Sequence, residues 1–272
     1  MSKTILTKEQ EHNIIQEYIA GKSQNQLAKD YNVSTGTIKR ALIRNNIHVR
    51  SVQETNVSKY NIIHDFFSLE KQSANSAYIL GLLASDGWVD KEGNCVCIEL
   101  QQSDRQILDD INRVLNNERP IKDYERANGY KNSKLYFFSK QIKNDLKLYD
   151  IIPTKTYNPQ TNFTKNIKSD FFPDFLRGFF DGDGCITSAN CGIRWQLDGT
   201  SFLTLSEISK RLEEKGIEVS IDNTTDKTCT IPRYRLYTYS QDKVKKIFDL
   251  MYYNENILKL NRKYGRFLDL LK

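Results

Sequence analysis

The chain has 272 residues with 39% apolar and 27% charged side chains, a balance typical of a globular protein with room for two or three modest domains. It contains no apolar run of about 18 residues and no signal-peptide core, and its five cysteines are too few and too irregularly spaced for a disulfide framework or a zinc site. Forty basic and 34 acidic side chains leave a net charge of +6, which fits a polyanionic partner. We therefore expect a cytoplasmic protein with no membrane association.

Residues 8–45 predict three short helices. Ser23 and Gln26 can form a capping box at the start of the second helix. Asn32 suits a tight turn that needs positive φ, and Ser34 can then cap the third helix. Residues 1–50 hold eight basic and four acidic side chains, so four of the six net positive charges lie in this segment.

The segment SQNQLAKDYNVSTGTIKRAL resembles the helix-turn-helix of DNA invertases and resolvases, in which the second helix of the motif enters the major groove. The resemblance implies that residues 1–50 form a small all-α DNA-binding domain. The residues expected to contact DNA are Thr35, Thr37, Lys39, Arg40 and Arg44. A three-helix scaffold with a solvated basic face is the alternative interpretation.

Residues 51–73 are rich in Asn, Ser, Lys and Glu around the apolar stretch at 62–67. We interpret them as a linker with at most one short strand, which would let the first domain reach DNA beyond the rest of the protein.

Residues 74–272 contain an internal repeat. The segment AYILGLLASDGWV at 77–89 reappears as DFLRGFFDGDGCI at 174–186. Each copy precedes a strand pair, a helix, a second strand pair and a final helix, so we expect two αββαββα repeats at residues 74–170 and 171–272. The predicted fold class is α+β, a tandem pseudo-dimer whose two sheets form a DNA-binding saddle after the small helical domain.

The predicted strands alternate apolar and polar residues, so one face of each sheet is polar and partly basic. A two-stranded ribbon with Arg and Gln side chains fits the major groove, where these side chains can read guanine and adenine edges. The residues expected to contact DNA from this face are Glu99, Gln101, Lys134, Tyr136, Arg194, Gln196, Arg233, Arg235 and Tyr237. Without the repeat, an ordinary solvated sheet face would explain the same pattern.

Glycines inside the repeated segments indicate a helix pair. Gly81 and Gly178 are each followed four positions later by another small residue. Because a glycine inside a helix costs about 1 kcal/mol relative to alanine, we expect the two helices to approach closely through these small faces. Asp86 and Asp183, each followed by a glycine, would then converge at the C-terminal ends of the two helices.

Two converging aspartates at helix C-termini face the negative ends of the helix dipoles and repel each other. Divalent cations remove both penalties, and hard oxygen ligands suit Mg²⁺. We expect two or three Mg²⁺ ions shared between Asp86 and Asp183, with Gly87 and Gly184 among the metal-site residues. Such a site supports metal-assisted hydrolysis of a phosphodiester, with one site for each DNA strand.

The paired segments resemble the two motifs of monomeric LAGLIDADG homing endonucleases, and the resemblance covers residues 74–272. It implies a site-specific, metal-dependent endonuclease that cuts both strands of a long DNA target, in a bacterial or phage host and with no protein partner required. It also places the acidic residues of the two motifs at Asp86 and Asp183. The first motif departs from the family pattern at Ala84, whereas the second keeps Asp181, which we interpret as a capping or structural residue.

Members of this family also place a lysine near each metal site. The segment DIIPTKTYNP puts Lys155 at such a position and LKLNRKYGRF puts Lys263 at the corresponding end of the second repeat. The resemblance implies a catalytic role for both lysines. Phosphate binding is the alternative role, and Arg262 competes with Lys263 for the second position.

Two other functions fit the same fold. One is a non-cleaving DNA-binding transcription regulator, which the presence of both acidic residues disfavours. The other is a maturase that binds intron RNA, which nothing in the sequence excludes as an added activity.

Overall fold

The structure is a computed structural model that describes residues 6–50, 60–189, 192–226 and 228–272. It divides into two compact units, Met1–Lys59 and Tyr60–Lys272. No helix in the described part of the chain combines the length and the apolar character needed to span a bilayer.

The first unit contains three helices, α1 Lys8–Ile19, α2 Gln24–Asp30 and α3 Thr35–Arg44. Ser23 and Gln26 form the predicted capping box at the start of α2, and Ser34 caps α3. Asn32 has a φ of +49°, as the tight turn between α2 and α3 requires. The three predicted helices are therefore confirmed, and their apolar faces meet in one small core.

The second unit repeats one series of elements. The first series is α4 Ala74–Ser85, β1 Gly87–Val89, β2 Cys95–Gln101, α5 Arg105–Val114, β3 Lys122–Glu125, β4 Lys131–Phe138 and α6 Lys140–Leu148. The second series is α7 Phe172–Asp183, β5 Gly184–Ala189, β6 Gly192–Gly199, α8 Phe202–Glu213, β7 Ser220–Asn223, β8 Tyr234–Thr238 and α9 Gln241–Met251. This order confirms the predicted αββαββα repeat in both halves. A further helix, α10 Asn261–Leu270, follows the second series and was not predicted.

The two series form two four-stranded antiparallel sheets with matching topology. The strand orders are β1-β2-β4-β3 and β5-β6-β8-β7. The registers match as well, because the glycine after each motif aspartate pairs with Ile98 in the first sheet and with Leu197 in the second. The α+β tandem fold is therefore confirmed, and the helices and sheets of both repeats enclose one continuous apolar core.

Residues 60–73 differ from the predicted linker, because the structure packs them on the first repeat. Phe67 is fully buried, and the amide of Ile63 donates to the carbonyl of Leu115 at 2.9 Å. The side-chain amide of Gln72 donates to the hydroxyl of Tyr149 at 3.0 Å. The apolar stretch at 62–67 thus anchors this segment to the core, while residues 51–59 of the predicted linker lie outside the described residues.

Candidate functional site

The two motif helices, α4 and α7, contact each other through their backbones. A Cβ added to Gly178 would lie 1.9 Å from the carbonyl oxygen of Tyr78, and one added to Gly81 would lie 2.2 Å from the carbonyl oxygen of Phe175. Real Cβ atoms do not approach so closely, so only glycine permits this packing. The predicted helix pair is present, and its closeness is the reason for both glycines.

The close packing continues to the C-terminal ends of both helices. Asp86 is the C-cap of α4, and Asp183 is the last residue of α7. A Cβ added to Gly182 would lie 3.2 Å from Oδ2 of Asp86. The carboxylate of Asp86 therefore lies against the residue that directly precedes Asp183.

The two carboxyl groups interact electrostatically. Both residues are exposed at the surface. Protein atoms nevertheless surround much of each carboxyl group and reduce its contact with water. Desolvation raises the pKa of Asp86, and the charges of Lys263 and Lys155 oppose this rise. Desolvation, followed by the charge of Asp86, raises the pKa of Asp183 to about 6. Each repeat thus contributes one acid to a single composite site.

The two predicted lysines lie beside these acids, each at the end of the motif helix of its own repeat. The ammonium of Lys155 donates to the carbonyls of Ser85 at 3.2 Å and Gly87 at 2.7 Å. Desolvation lowers the pKa of Lys155, and the charges of Asp183 and Asp86 oppose this effect. The ammonium therefore neutralises the negative end of the α4 dipole at the point where the acids converge.

Lys263, on α10, holds the end of α7 in the same way. Its ammonium donates to the carbonyls of Phe180 at 2.7 Å, Gly182 at 3.0 Å and Gly184 at 2.7 Å. Desolvation also lowers the pKa of this lysine. Both lysines are nearly buried, so their amines are fixed by main-chain carbonyls rather than free to move.

These contacts bear on the two glycines predicted for the metal site, whose role as ligands stays a prediction. The carbonyl oxygens of Gly87 and Gly184 each accept a hydrogen bond from a lysine ammonium. A metal ion bound to either oxygen would lie next to that positive charge, which disfavours both carbonyls as ligands.

Asp181 lies two residues before Asp183 in the second motif and has the contacts of a structural residue, as expected. It is buried and accepts hydrogen bonds from the hydroxyl of Tyr78 at 2.7 Å and from the amide of Leu260 at 2.8 Å. Desolvation raises its pKa to about 6, although these two hydrogen bonds act in the opposite direction. Asp181 joins the two motif helices and the segment that precedes α10.

The polar face of the first sheet is organised around Glu99. Its carboxylate accepts hydrogen bonds or ion pairs from Tyr124, Arg126, Asn132 and Lys134. Among the other predicted DNA contacts on this face, Gln101 is exposed and Tyr136 is half-buried. Glu99 and Gln101 line the same cleft as Asp86.

The polar face of the second sheet contains the remaining predicted contacts. Arg194, Arg235 and Tyr237 are half-buried and Arg233 is exposed, whereas Gln196 is buried with its amide bonded to Asp198 at 2.7 Å. Nε of Arg235 also donates to Asp198, at 2.8 Å. Arg233, Arg235 and Asp198 line the same cleft as Asp183. Each acid therefore opens onto the polar face of the sheet in its own repeat.

The comparison with known families decides the assignment. A family model for a LAGLIDADG-like domain matches residues 73–149 and 174–263, which together make up more than half of the chain. The chain belongs to the LAGLIDADG family. An uncharacterized protein of Methanocaldococcus jannaschii is 29% identical to this LAGLIDADG chain over 196 residues, covering 68% of this chain and 69% of that protein.

Solved structures share the LAGLIDADG fold. I-DmoI in complex with DNA and Ca aligns with a TM-score of 0.50 at 14% identity, covering 72% of this chain and 97% of that chain. Full-length DUF199/WhiA from Thermatoga maritima aligns with a TM-score of 0.46 at 16% identity, covering 77% of this chain and 65% of that chain. At 14% identity the likeness to I-DmoI shows the fold alone.

The composite acid site of this LAGLIDADG chain fits a divalent cation. Two carboxyl groups with raised pKa values lie where two helix dipoles end, and a cation bound to both would relieve their repulsion. The described residues hold no cluster of three or more His, Cys, Asp or Glu side chains with metal-site geometry. Any ion would therefore complete its coordination with water or with substrate oxygens, as Mg²⁺ commonly does.

Sequence reasoning missed Asp104 and its role beside the first acid. Asp104 is buried and pairs with Arg262 of α10 at 2.9 Å, and its charge raises the pKa of Asp86. Arg262, the competitor of Lys263, is thus held by Asp104 rather than by the main chain. These two residues lie 158 positions apart, so no local pattern could have revealed the pair.

Some of the side chains predicted to contact DNA from the first unit already have partners within the protein. Thr35 and Lys39 are exposed, and Arg40 is exposed although its Nε donates to the carbonyl of Gly36 at 3.1 Å. The hydroxyl of Thr37 is hydrogen-bonded to that of Ser34 at 2.9 Å. Arg44 forms an ion pair with Glu11 of α1.

Proposed function

We propose that this chain is a site-specific endonuclease that hydrolyses both strands of double-stranded DNA with a divalent metal. The observation that carries the proposal is the composite acid site, in which Asp86 and Asp183 meet at the C-terminal ends of α4 and α7. Each acid opens onto the polar face of one sheet, where a duplex lying across both sheets would present its backbone.

Asp86 and Asp183 are the residues that would hold the metal. When bound, Mg²⁺ supplies Lewis acidity toward a phosphate oxygen and lowers the pKa of bound water. The pKa of Asp183 lies at about 6 without metal, so its carboxylate is ionised and able to hold a cation above that pH. Lys155 and Lys263 hold the ends of the motif helices and reduce the negative charge around the acids.

The DNA contacts are proposed for the polar faces of both sheets and for α3 in the first unit. Exposed cations such as Arg233, Lys39 and Arg40 would neutralise phosphates and release counterions. Exposed Gln101 could read a base edge in the major groove. The fold neighbour I-DmoI was solved in complex with DNA and Ca, which supports a divalent cation and duplex DNA as ligands of this fold.

The test uses a duplex selected by the protein itself. The full chain is incubated with a library of random duplexes in Ca²⁺, and the bound species are recovered and cloned into a plasmid. We expect Mg²⁺ to support conversion of this plasmid to a linear form at the selected sequence, and EDTA to prevent it.

The variants Asp86→Asn and Asp183→Asn should each abolish linearisation while retaining binding of the selected duplex. Asp170→Asn, at an acid that precedes α7 outside the site, is the matched control and should cut normally. If the selected duplex is bound but never cut, the result would contradict the endonuclease function and favour a DNA-binding regulator. Loss of binding in both site variants would contradict a catalytic role for the acids.

A further inference from the structure

The two sheets carry an acid and a base at the same position of the repeat. Glu99 of β2 pairs in register with Lys134 of β4, and Asp198 of β6 pairs in register with Arg235 of β8. These positions correspond, because each acid follows directly after the residue that pairs with the glycine of its motif. The repeat therefore places one carboxylate among the basic side chains on each polar face.

The carboxylate of Glu99 accepts from four neighbouring side chains of the first sheet and its β3–β4 turn. Its carboxylate contacts Nη2 of Arg126 at 2.6 Å, Nδ2 of Asn132 at 2.7 Å and Nζ of Lys134 at 3.0 Å, and it also accepts from the hydroxyl of Tyr124. Burial acts to raise the pKa of Glu99, but these four donors together lower it to about 2. Glu99 is therefore fully charged at neutral pH and satisfies two cations of the polar face.

Asp198 has the same kind of surroundings in the second sheet. It accepts from Nε2 of Gln196 at 2.7 Å and from Nε of Arg235 at 2.8 Å. Its charge also raises the pKa of Asp183, so changing it would disturb the acid site. Glu99 is the better position for a test because the pKa shifts of the two motif acids arise from other groups.

An internal carboxylate changes how this surface meets DNA. Sequence-independent affinity for DNA comes from cations that contact phosphates. A cation paired with a carboxylate of the protein does not contribute to this affinity. The carboxylate also repels phosphate unless a base offers it a donor, such as the N4 amine of cytosine. A matching duplex can exchange the internal pairs for base contacts, whereas a mismatched one leaves the carboxylate without a partner.

We propose that Glu99 is a specificity-determining residue that suppresses binding to arbitrary DNA by holding Arg126 and Lys134 in internal ion pairs. The proposal rests on the proposed function and adds the origin of its selectivity. Asp198 acts in the same sense on the second sheet through Arg235.

The test compares Glu99→Gln with Glu125→Gln. Both variants remove one negative charge from the first sheet, but Glu125 is on β3 next to Tyr124, and successive strand residues point to opposite faces. Binding of a random-sequence duplex and of the selected duplex is measured by fluorescence anisotropy in Ca²⁺ over a range of KCl concentrations. Circular dichroism establishes that each variant is folded.

We expect Glu99→Gln to bind the random duplex roughly tenfold more tightly near 0.1 M salt, because each additional phosphate contact steepens the slope of log K against log salt by about 0.9. The ratio of selected to random affinity should fall accordingly. Glu125→Gln should match the wild type. Adding Lys134→Met to Glu99→Gln should reverse part of the gain, because one of the freed cations is removed.

Two results would overturn the inference while leaving the proposed function intact. One is an unchanged affinity and salt slope for the random duplex in Glu99→Gln. The other is a loss confined to the selected duplex, which would make Glu99 a direct base contact only. Failure of the wild-type chain to bind any duplex would instead refute the proposed function itself.

Discussion

Substitution of Gly178 by alanine should force the two motif helices apart and destabilise the second unit. The added Cβ would lie 1.9 Å from the carbonyl oxygen of Tyr78, and ordinary contact begins at 3.4 Å, so the backbones must separate by about 1.5 Å. Overpacking typically costs about 1–3 kcal/mol, and we expect the upper end because the contacted atoms are backbone. For a unit of this size, about 3 kcal/mol corresponds to a fall in Tm of roughly 6–12 °C.

Gly265→Ala is the matched control, since no atom lies within 4 Å of the Cβ that it adds to α10. It should leave stability unchanged or raise it by up to about 1 kcal/mol through helix propensity. Both tryptophans, Trp88 and Trp195, lie in the second unit, so thermal unfolding followed by tryptophan fluorescence reports that unit. Equal melting temperatures for the two variants would refute the close helix contact.

Three further substitutions test the surroundings of the acids. Lys263→Met should lower the free energy of unfolding in urea by about 1–3 kcal/mol, because it leaves carbonyls at the end of α7 without a donor; an unchanged midpoint would mean that these bonds do not stabilise the helix end. Arg177→Met should cost about 3–5 kcal/mol in the same assay, since it leaves the buried carboxylate of Asp174 without its cation; a loss below 1 kcal/mol would contradict the buried pair. In the folded metal-free protein the pKa of Asp183 lies at about 6, above its usual 3.8, so the stability it contributes is present below pH 4 and lost as the pH rises through 6. Asp183→Asn should therefore melt at a higher temperature than the wild type at pH 7.5 and show a smaller fall between pH 4 and 6, where Asp181 and Asp86 account for what remains. Identical pH profiles would contradict the raised pKa of Asp183.

The parts of the site that local pattern could predict are those that local chemistry determines. Glycine spacing in the two motifs predicted the helix pair. The packing of these helices in turn predicted that the last aspartates of the two motifs converge. Alternation along β2 and β6 predicted which residues share the polar faces, since strand geometry has a period of two. The capping residues Ser23 and Ser34 marked two helix starts of the first unit correctly.

The features that escaped prediction depend on contacts between distant parts of the chain. The bond from Arg262 to Asp104 joins two repeats, and nothing near either residue in sequence indicates it. The helix α10 contains Gly265, which weakens its helical pattern, and tertiary contacts such as that of buried Phe267 stabilise it instead. Residues 60–73 resemble a linker in composition, but buried Phe67 and the half-buried apolar residues beside it pack them against the core.

The positions of Lys155 and Lys263 could be predicted from the sequence, but their hydrogen-bond partners could not. Family resemblance placed Lys155 and Lys263 near the acids, and the structure has them there. Their hydrogen bonds to main-chain carbonyls could not be inferred from sequence, because such acceptors carry no residue signature. A positioning role for both lysines is consistent with these contacts, and the urea experiment on Lys263 measures it for one of them.

The central claim is that two acids from different repeats form one shared cation site. Isothermal titration of Ca²⁺ into the complex with the selected duplex measures this directly, using wild type, Asp86→Asn, Asp183→Asn and the double variant. We predict that each single variant loses nearly as much Ca²⁺ affinity as the double variant, because removal of either acid breaks the same site. Independent, additive losses, or a wild-type chain that takes up no Ca²⁺, would contradict it.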